Sequence, residues 1–234
     1  MPKNNAPQHN TSQHYAQKLE FMRSILPYFS EGFVLKGSGA LGLFYGLNRY
    51  ARDLNFDSMS EHLNFMECLE AHKDFKRWRI CEQRESETSF SVVIEYGLDL
   101  EARDSLKIES SAIYSAFLRH NYLDVDNILG VKVYALHELI AMKKWAFGNK
   151  ERIRDLYDLH FLLEHYPQYF DKNTLLDMYM QISYMEASTI EARLNADVAA
   201  GKIVFVDTST KLDTAYFAQN MLAKISQMLK GKAK

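Results

Sequence analysis

Cysteine is scarce in this 234-residue chain: Cys68 and Cys81 are the only two, with no CxxC spacing for a zinc or redox site. A chain this long needs no disulfide framework, so a reduced, cytoplasmic setting is expected. The eight histidines contain no HExxH pattern and no paired metal spacing. No apolar run approaches the roughly 20 residues of a membrane span. The opening stretch MPKNNAPQHNTSQH lacks the apolar centre of a secretory signal, so no membrane partner is expected. Neither charge sign dominates. Lys and Arg number 28 against 30 Asp and Glu, giving a formal charge of −2. There is then no global basic field, and a nucleic-acid partner would need a local patch. Internal repeats and low-complexity tracts are also missing. What remains is 47% hydrophobic and 25% charged, enough for the core of one large domain or two small ones.

The most informative stretch is FVLKGSGALGLFYGLNRYARDLNFD, residues 33–57. Phe33, Val34 and Leu35 are β-prone, Gly37-Ser38-Gly39 interrupts them, Ala40 to Leu47 has helical spacing, and Asp53 to Asp57 alternates polar with apolar. The pattern predicts strand, glycine turn, helix, strand. Such a turn offers backbone N–H groups and the positive end of a helix dipole to a phosphate, although a plain helix start would look the same. On a strand Asp53, Asn55 and Asp57 share one side, where they could hold a divalent ion against a triphosphate.

Along the chain, spacing predicts a helix over 12–29 capped by Ser12, and another from Ser60 to Ala71 burying Leu63, Met66 and Leu69. Strands at 75–81 and 89–96 flank the loop QRESET, and a third covers 105–111, with Leu106 and Ile108 facing one way and Lys107 and Glu109 the other. Residues 119–130 read as irregular. From Val131 the signals turn helical, which places a boundary near 130 between a sheet-containing half, 1–130, and a helical half, 131–234. Leu136, Leu139, Ile140 and Ala146 mark a helix broken at Gly148-Asn149, and Ile153 to Leu163 begins its neighbour. There Asp155 and Asp158 share a face, and Arg154 can pair with Asp158, which by itself is an ordinary helix ion pair. Further helices are expected over about 172–185, 186–199 and 213–230. Lys73, Lys76, Arg77 and Arg79, interleaved with Phe75 and Trp78, form the best basic and aromatic patch for RNA.

Gly37-Ser38, a spacer, then Asp53-x-Asn55 on a strand resembles the DNA polymerase beta-like nucleotidyltransferase superfamily, and more narrowly the AbiEii/AbiGii toxin family. Lys36, Gly37, Ser38, Ala40, Leu41, Arg49, Asp53 and Phe56 match that family's first motif, while Ala51 replaces a usual serine and Asn55 stands where a second carboxylate is expected. Ala141, Lys143 and Ala146, followed by Arg154, Asp155 and Asp158, resemble its later motif, and Lys107-Ile108-Glu109 fits its lysine, hydrophobic, acid strand. The resemblance spans residues 33–163. It implies an α+β fold, a mixed sheet flanked by helices and followed by a helical half. The implied activity is Mg²⁺-dependent transfer of NMP from an NTP to an RNA acceptor, with tRNA leading, by a toxin that has a cognate antitoxin.

By the same resemblance Asp53 is the principal metal ligand and Glu109 the second, with Asn55 and Asp57 as further candidates for one or two ions. Lys36, Gly37, Ser38, Arg49, Arg154 and Asp155 would bind nucleotide. Lys143 would reach the β- and γ-phosphates as a mobile charge contributing little to the core, and Asp158 or Asp155 would orient Lys143 or the incoming base. The alternative is a nucleotide- or RNA-binding module on the same fold with little or no transfer, because Asn55 brings no charge.

Overall fold

A computed structural model describes residues 11–60, 65–97, 104–150, 152–207, 209–210 and 212–232. Helix α1 (Thr11–Ile25) continues into a 3₁₀ turn at Leu26–Phe29. Strand β1 (Phe33–Lys36) then runs without a loop into α2 (Gly37–Phe44), and β2 (Asp53–Ser58) returns antiparallel to β1. After α3 (Phe65–Glu70), strands β3 (Arg79–Glu85), β4 (Ser89–Tyr96) and β5 (Asp104–Ser111) form an antiparallel meander. Helix α4 (Ser115–Arg119) leads to the hairpin of β6 (Val125–Ile128) and β7 (Val131–Tyr134). Helices α5 (Leu136–Lys150), α6 (Ile153–His165), α7 (Lys172–Ser183), α8 (Ala187–Ala199) and α9 (Phe217–Gly231) complete the described chain.

The seven strands make one mixed sheet in the order β3-β4-β5-β2-β1-β7-β6. Parallel pairing of β2 with β5 and of β1 with β7 places β2 and β1 near the centre. One face of these strands, carrying Phe33, Leu35, Leu54, Phe56, Leu106 and Ile108, is buried against Met22, Ile25, Phe29 and Phe65. Phe29 stacks on Phe56 with ring centroids 4.8 Å apart. Apolar alternation therefore fixes which face is core and sends the polar residues of β2 and β5 the other way.

Several expectations are corrected. Residues 119–130 are not irregular, and strands do not end at 130: the position falls in the turn of the β6–β7 hairpin, whose second strand pairs with β1. A single apolar cluster runs from Met22 to Ile225 across that point. Gly148-Asn149 does not break its helix, since α5 continues to Lys150. The space a Gly148 side chain would fill is occupied by Gln181, whose Nε2 lies 2.6 Å from an ideal Cβ position. Strand β3 begins later than expected and takes in the first half of the predicted loop, Gln83 to Glu85; all seven of its residues are exposed, a charged edge with little apolar pattern to announce it. Ser12 lies inside α1 rather than ahead of it. The helix start expected after Ser60, with Leu63, falls in 61–64, outside the described residues. Phe205 forms an isolated bridge with Arg49.

Candidate active site

The register of three strands assembles the polar face. Asn55 is paired across to Lys36 on one side and to Glu109 on the other, and Asp53 is paired to Lys107. Because partners in register point to the same face, Lys36, Asn55 and Glu109 form one row, with Asp53 and Lys107 one pleat away. Beside this row α2 starts at Gly37, whose φ of +73° suits glycine, and no side chain caps its first turn. Gly39 lets α2 approach β2 closely: an ideal Cβ there would stand 3.0 Å from the Asp53 carbonyl oxygen. The turn and the acidic strand are therefore packed together.

Burial raises the Asp53 carboxyl above its ordinary range, and nearby Glu109 adds to the rise, while Lys107, Lys18 and Arg154 act against it. Glu109 accepts an ion-pair contact from Lys107 at 2.6 Å. Asp53, Asn55 and Glu109 together offer two carboxylates and an amide oxygen, hard donors that suit Mg²⁺. Asp57 does not join them. It is wholly buried, its Oδ1 taken by Lys36 Nζ at 2.5 Å and its Oδ2 by the Tyr134 hydroxyl at 2.9 Å. The expectation of Asp57 as a metal ligand is corrected on that ground, and Lys36 is held by Asp57 on the same face.

A second charged group lies between α5, α6 and the segment before β2. Arg49 clamps Asp158 through Nε to Oδ1 at 2.5 Å and Nη2 to Oδ2 at 2.6 Å. Lys143 Nζ lies 2.6 Å from Asp158 Oδ2 and 2.7 Å from Asp155 Oδ1. Arg152 Nε makes a charge contact with the other Asp155 oxygen at 2.7 Å. Arg49, Lys143, Asp155 and Asp158 are all buried. Burial alone would raise the Asp158 carboxyl; Lys143 and Arg49 overcome it and hold the group below the ordinary carboxylate range. Lys143 is thus no mobile charge in this structure but a cation locked between two carboxylates, and Arg49 turns to Asp158 rather than outward. Arg154 is not the partner of Asp158 expected from its spacing; its charge acts on Asp53 instead.

The model of one family, described as the nucleotidyl transferase AbiEii toxin of a type IV toxin–antitoxin system, matches residues 20–224, which takes in both charged groups. The chain belongs to the AbiEii toxin family. No curated protein matches this AbiEii chain. Among solved structures, JHP933 from Helicobacter pylori superposes with a TM-score of 0.75 at 21% identity, covering 95% of this chain and 93% of that one. A second H. pylori structure, described as a candidate nucleotidyltransferase, gives 0.75 at 22% identity over 97% and 98%. MenT4, a nucleotidyltransferase toxin from Mycobacterium tuberculosis, gives 0.44 at 13% identity over 94% and 84%. The two H. pylori likenesses show a shared fold.

In this AbiEii chain the structure brings Lys36, Gly37, Asp53, Asn55 and Glu109 to one face, and joins Arg49, Lys143, Asp155 and Asp158 in the buried group. Sequence reasoning missed Tyr134, which sat at the start of a stretch read as helical, and Arg152, which no motif marked. In the basic patch at 73–79, Phe75 and Trp78 are partly buried against the core, with Trp78 meeting Phe21 edge-on at 5.2 Å and His72 at 4.6 Å.

Proposed function

We propose that the protein is a cytoplasmic, Mg²⁺-dependent nucleotidyltransferase that moves NMP from an NTP onto a hydroxyl of an RNA, with tRNA the leading acceptor, as a toxin restrained by a cognate antitoxin. The observation that carries this reading is the juxtaposition of the Asp53, Asn55 and Glu109 oxygens with the uncapped first turn of α2. The N–H groups of Gly37 and Ser38 bind the triphosphate. Asp53, Asn55 and Glu109 would hold Mg²⁺, which when bound neutralises charge on the leaving pyrophosphate. The acceptor oxygen attacks the α-phosphorus, the bond from that phosphorus to the bridging oxygen breaks, and the hydroxyl proton passes to the Glu109 carboxylate. The buried Arg49–Asp158–Lys143–Asp155 group fixes α5 and α6 against the segment that leads into β2.

A second reading, a nucleotide- or RNA-binding module with little or no transfer, draws on one observation. Asn55 is uncharged and Asp57 is occupied, so two carboxylates remain where a pair of ions would want more. The deciding experiment incubates purified protein with Mg²⁺, total tRNA and each NTP labelled at the α-phosphate. Label in RNA that disappears with Asp53→Ala supports transfer. Mg²⁺-dependent NTP binding with no labelled product supports the second reading instead.

A further inference from the structure

Beside Asp53, on the side of α1, lies a hollow of about 390 Å³ whose lining includes none of Gly37, Ser38, Asn55 or Glu109. Its size falls within the roughly 300–1,000 Å³ of small-ligand sites. Lys18, Arg52 and Lys107 line it, and Asp53 is the one acid among its lining residues. These cations are held in place without being used up. Lys18 donates to the Ser105 carbonyl at 2.7 Å and lies 3.7 Å from Asp104. Lys107 pairs with Glu109 across a partly exposed contact, and Arg52 donates to the Gly201 carbonyl. The exposed Lys107–Glu109 pair contributes little to stability, so its ammonium can turn to a phosphate at small cost. One wall is aromatic: Tyr50 stacks on buried Tyr15 with centroids 3.7 Å apart and planes 11° from parallel. The Tyr15 hydroxyl accepts the Ala51 N–H at 3.2 Å, which fixes the stack relative to the strand that starts at Asp53.

The geometry points to this hollow as the site of the acceptor strand's terminal nucleotide, with its base stacked over Tyr50, its phosphates on Lys18, Arg52 and Lys107, and its hydroxyl directed past Asp53 toward Glu109. Three cations line the hollow, two of them backed by Asp104 and Glu109, and give phosphates a set of donors; a tyrosine platform suits a flat base, and together they describe single-stranded nucleic acid rather than a protein hydroxyl. A transferase must bring two substrates to one carboxylate from different sides, and Asp53 stands between the α2 turn and this hollow. The assignment of the strand as acceptor rests on the transfer reading above; the binding of the strand does not.

The test titrates full-length protein into a short 5′-labelled single-stranded RNA at several salt concentrations, followed by fluorescence anisotropy, with NTP binding measured separately. Tyr50→Leu is expected to weaken RNA binding about tenfold or more, from the roughly 1–3 kcal/mol of a base–aromatic stack, while Tyr50→Phe restores it and neither changes NTP affinity. Lys18→Gln and Lys107→Gln should each lower the slope of log affinity against log salt by about 0.7. RNA binding by Tyr50→Leu equal to wild type, or transfer of label to protein in place of RNA, would overturn the assignment. Failure of wild type to bind NTP would remove the transfer reading, and the RNA titration would still decide this site.

Discussion

Between α5 and α6, two carboxylates and two cations share a space closed to water, and the energetics of Lys143 follow from that enclosure. Removing one partner of a buried ion pair leaves the other uncompensated, at about 3–5 kcal/mol. Lys143→Ala should therefore lower the urea midpoint strongly, contrary to what a mobile site lysine would do, and an unchanged midpoint would show that the ammonium leaves this group in solution. Asp158 sharpens the point through pH. Its folded pKa lies below the unfolded value, so its contribution is fully present above the ordinary carboxylate range and is lost as pH falls through the depressed value. Asp158→Asn should be less stable at neutral pH and show a shallower loss in acid, read from unfolding curves across pH. Asp53 runs the other way. Its raised folded pKa gives a contribution present in acid and lost as pH rises through that value, so the charged form costs stability at neutral pH. Asp53→Asn should keep or raise the melting temperature while removing Mg²⁺-dependent NTP binding. Loss of both would mean that Asp53 is needed for folding.

The passage from β1 into α2 depends on one residue's backbone. Gly37 has φ of +73°, and a Cβ there would meet nothing nearer than the Asn55 side chain at 3.9 Å. The strain of Gly37→Ala is thus conformational rather than steric, about 1–2 kcal/mol, and Gly37→Asn, which tolerates this region, should recover part of it. Urea unfolding of the two variants checks the order; equal losses would point to packing as the cause. This turn was legible because glycine, alternation and helical spacing change within a few residues. The buried ion group was legible only as a set of residue types, because pairing across more than a hundred positions, as in Arg49 with Asp158, leaves no local period. Local spacing favoured Arg154 as the partner of Asp158, and tertiary packing supplied Arg49 and Lys143 instead. Strand β3 was hard to place because it is an exposed edge whose pairing with β4, rather than its own apolar pattern, makes it a strand.

The expected boundary near 130 came from a real change in composition, since the described chain after Tyr134 has no strand longer than an isolated bridge. Composition cannot show, however, that β7 crosses that boundary to lie beside β1. Leu35 pairs with Val133 in the middle of the sheet order, and Tyr134 closes over Asp57 from the far side. The first half therefore depends on the second for a central strand and for a buried hydrogen bond. In the other direction, Arg49 from the first half clamps Asp158 of α6. A fragment of residues 1–130 would expose the edge of β1, leave Asp57 without the Tyr134 hydroxyl and strand Arg49 in an open core. Such a fragment should lack a cooperative urea transition and protected amides in β1 and β2, whereas the full chain should unfold in one transition that is the same by circular dichroism and fluorescence. Two separate transitions in the full chain, or native-like protection in the fragment, would mean that the halves fold independently and that the shared sheet forms only when they dock.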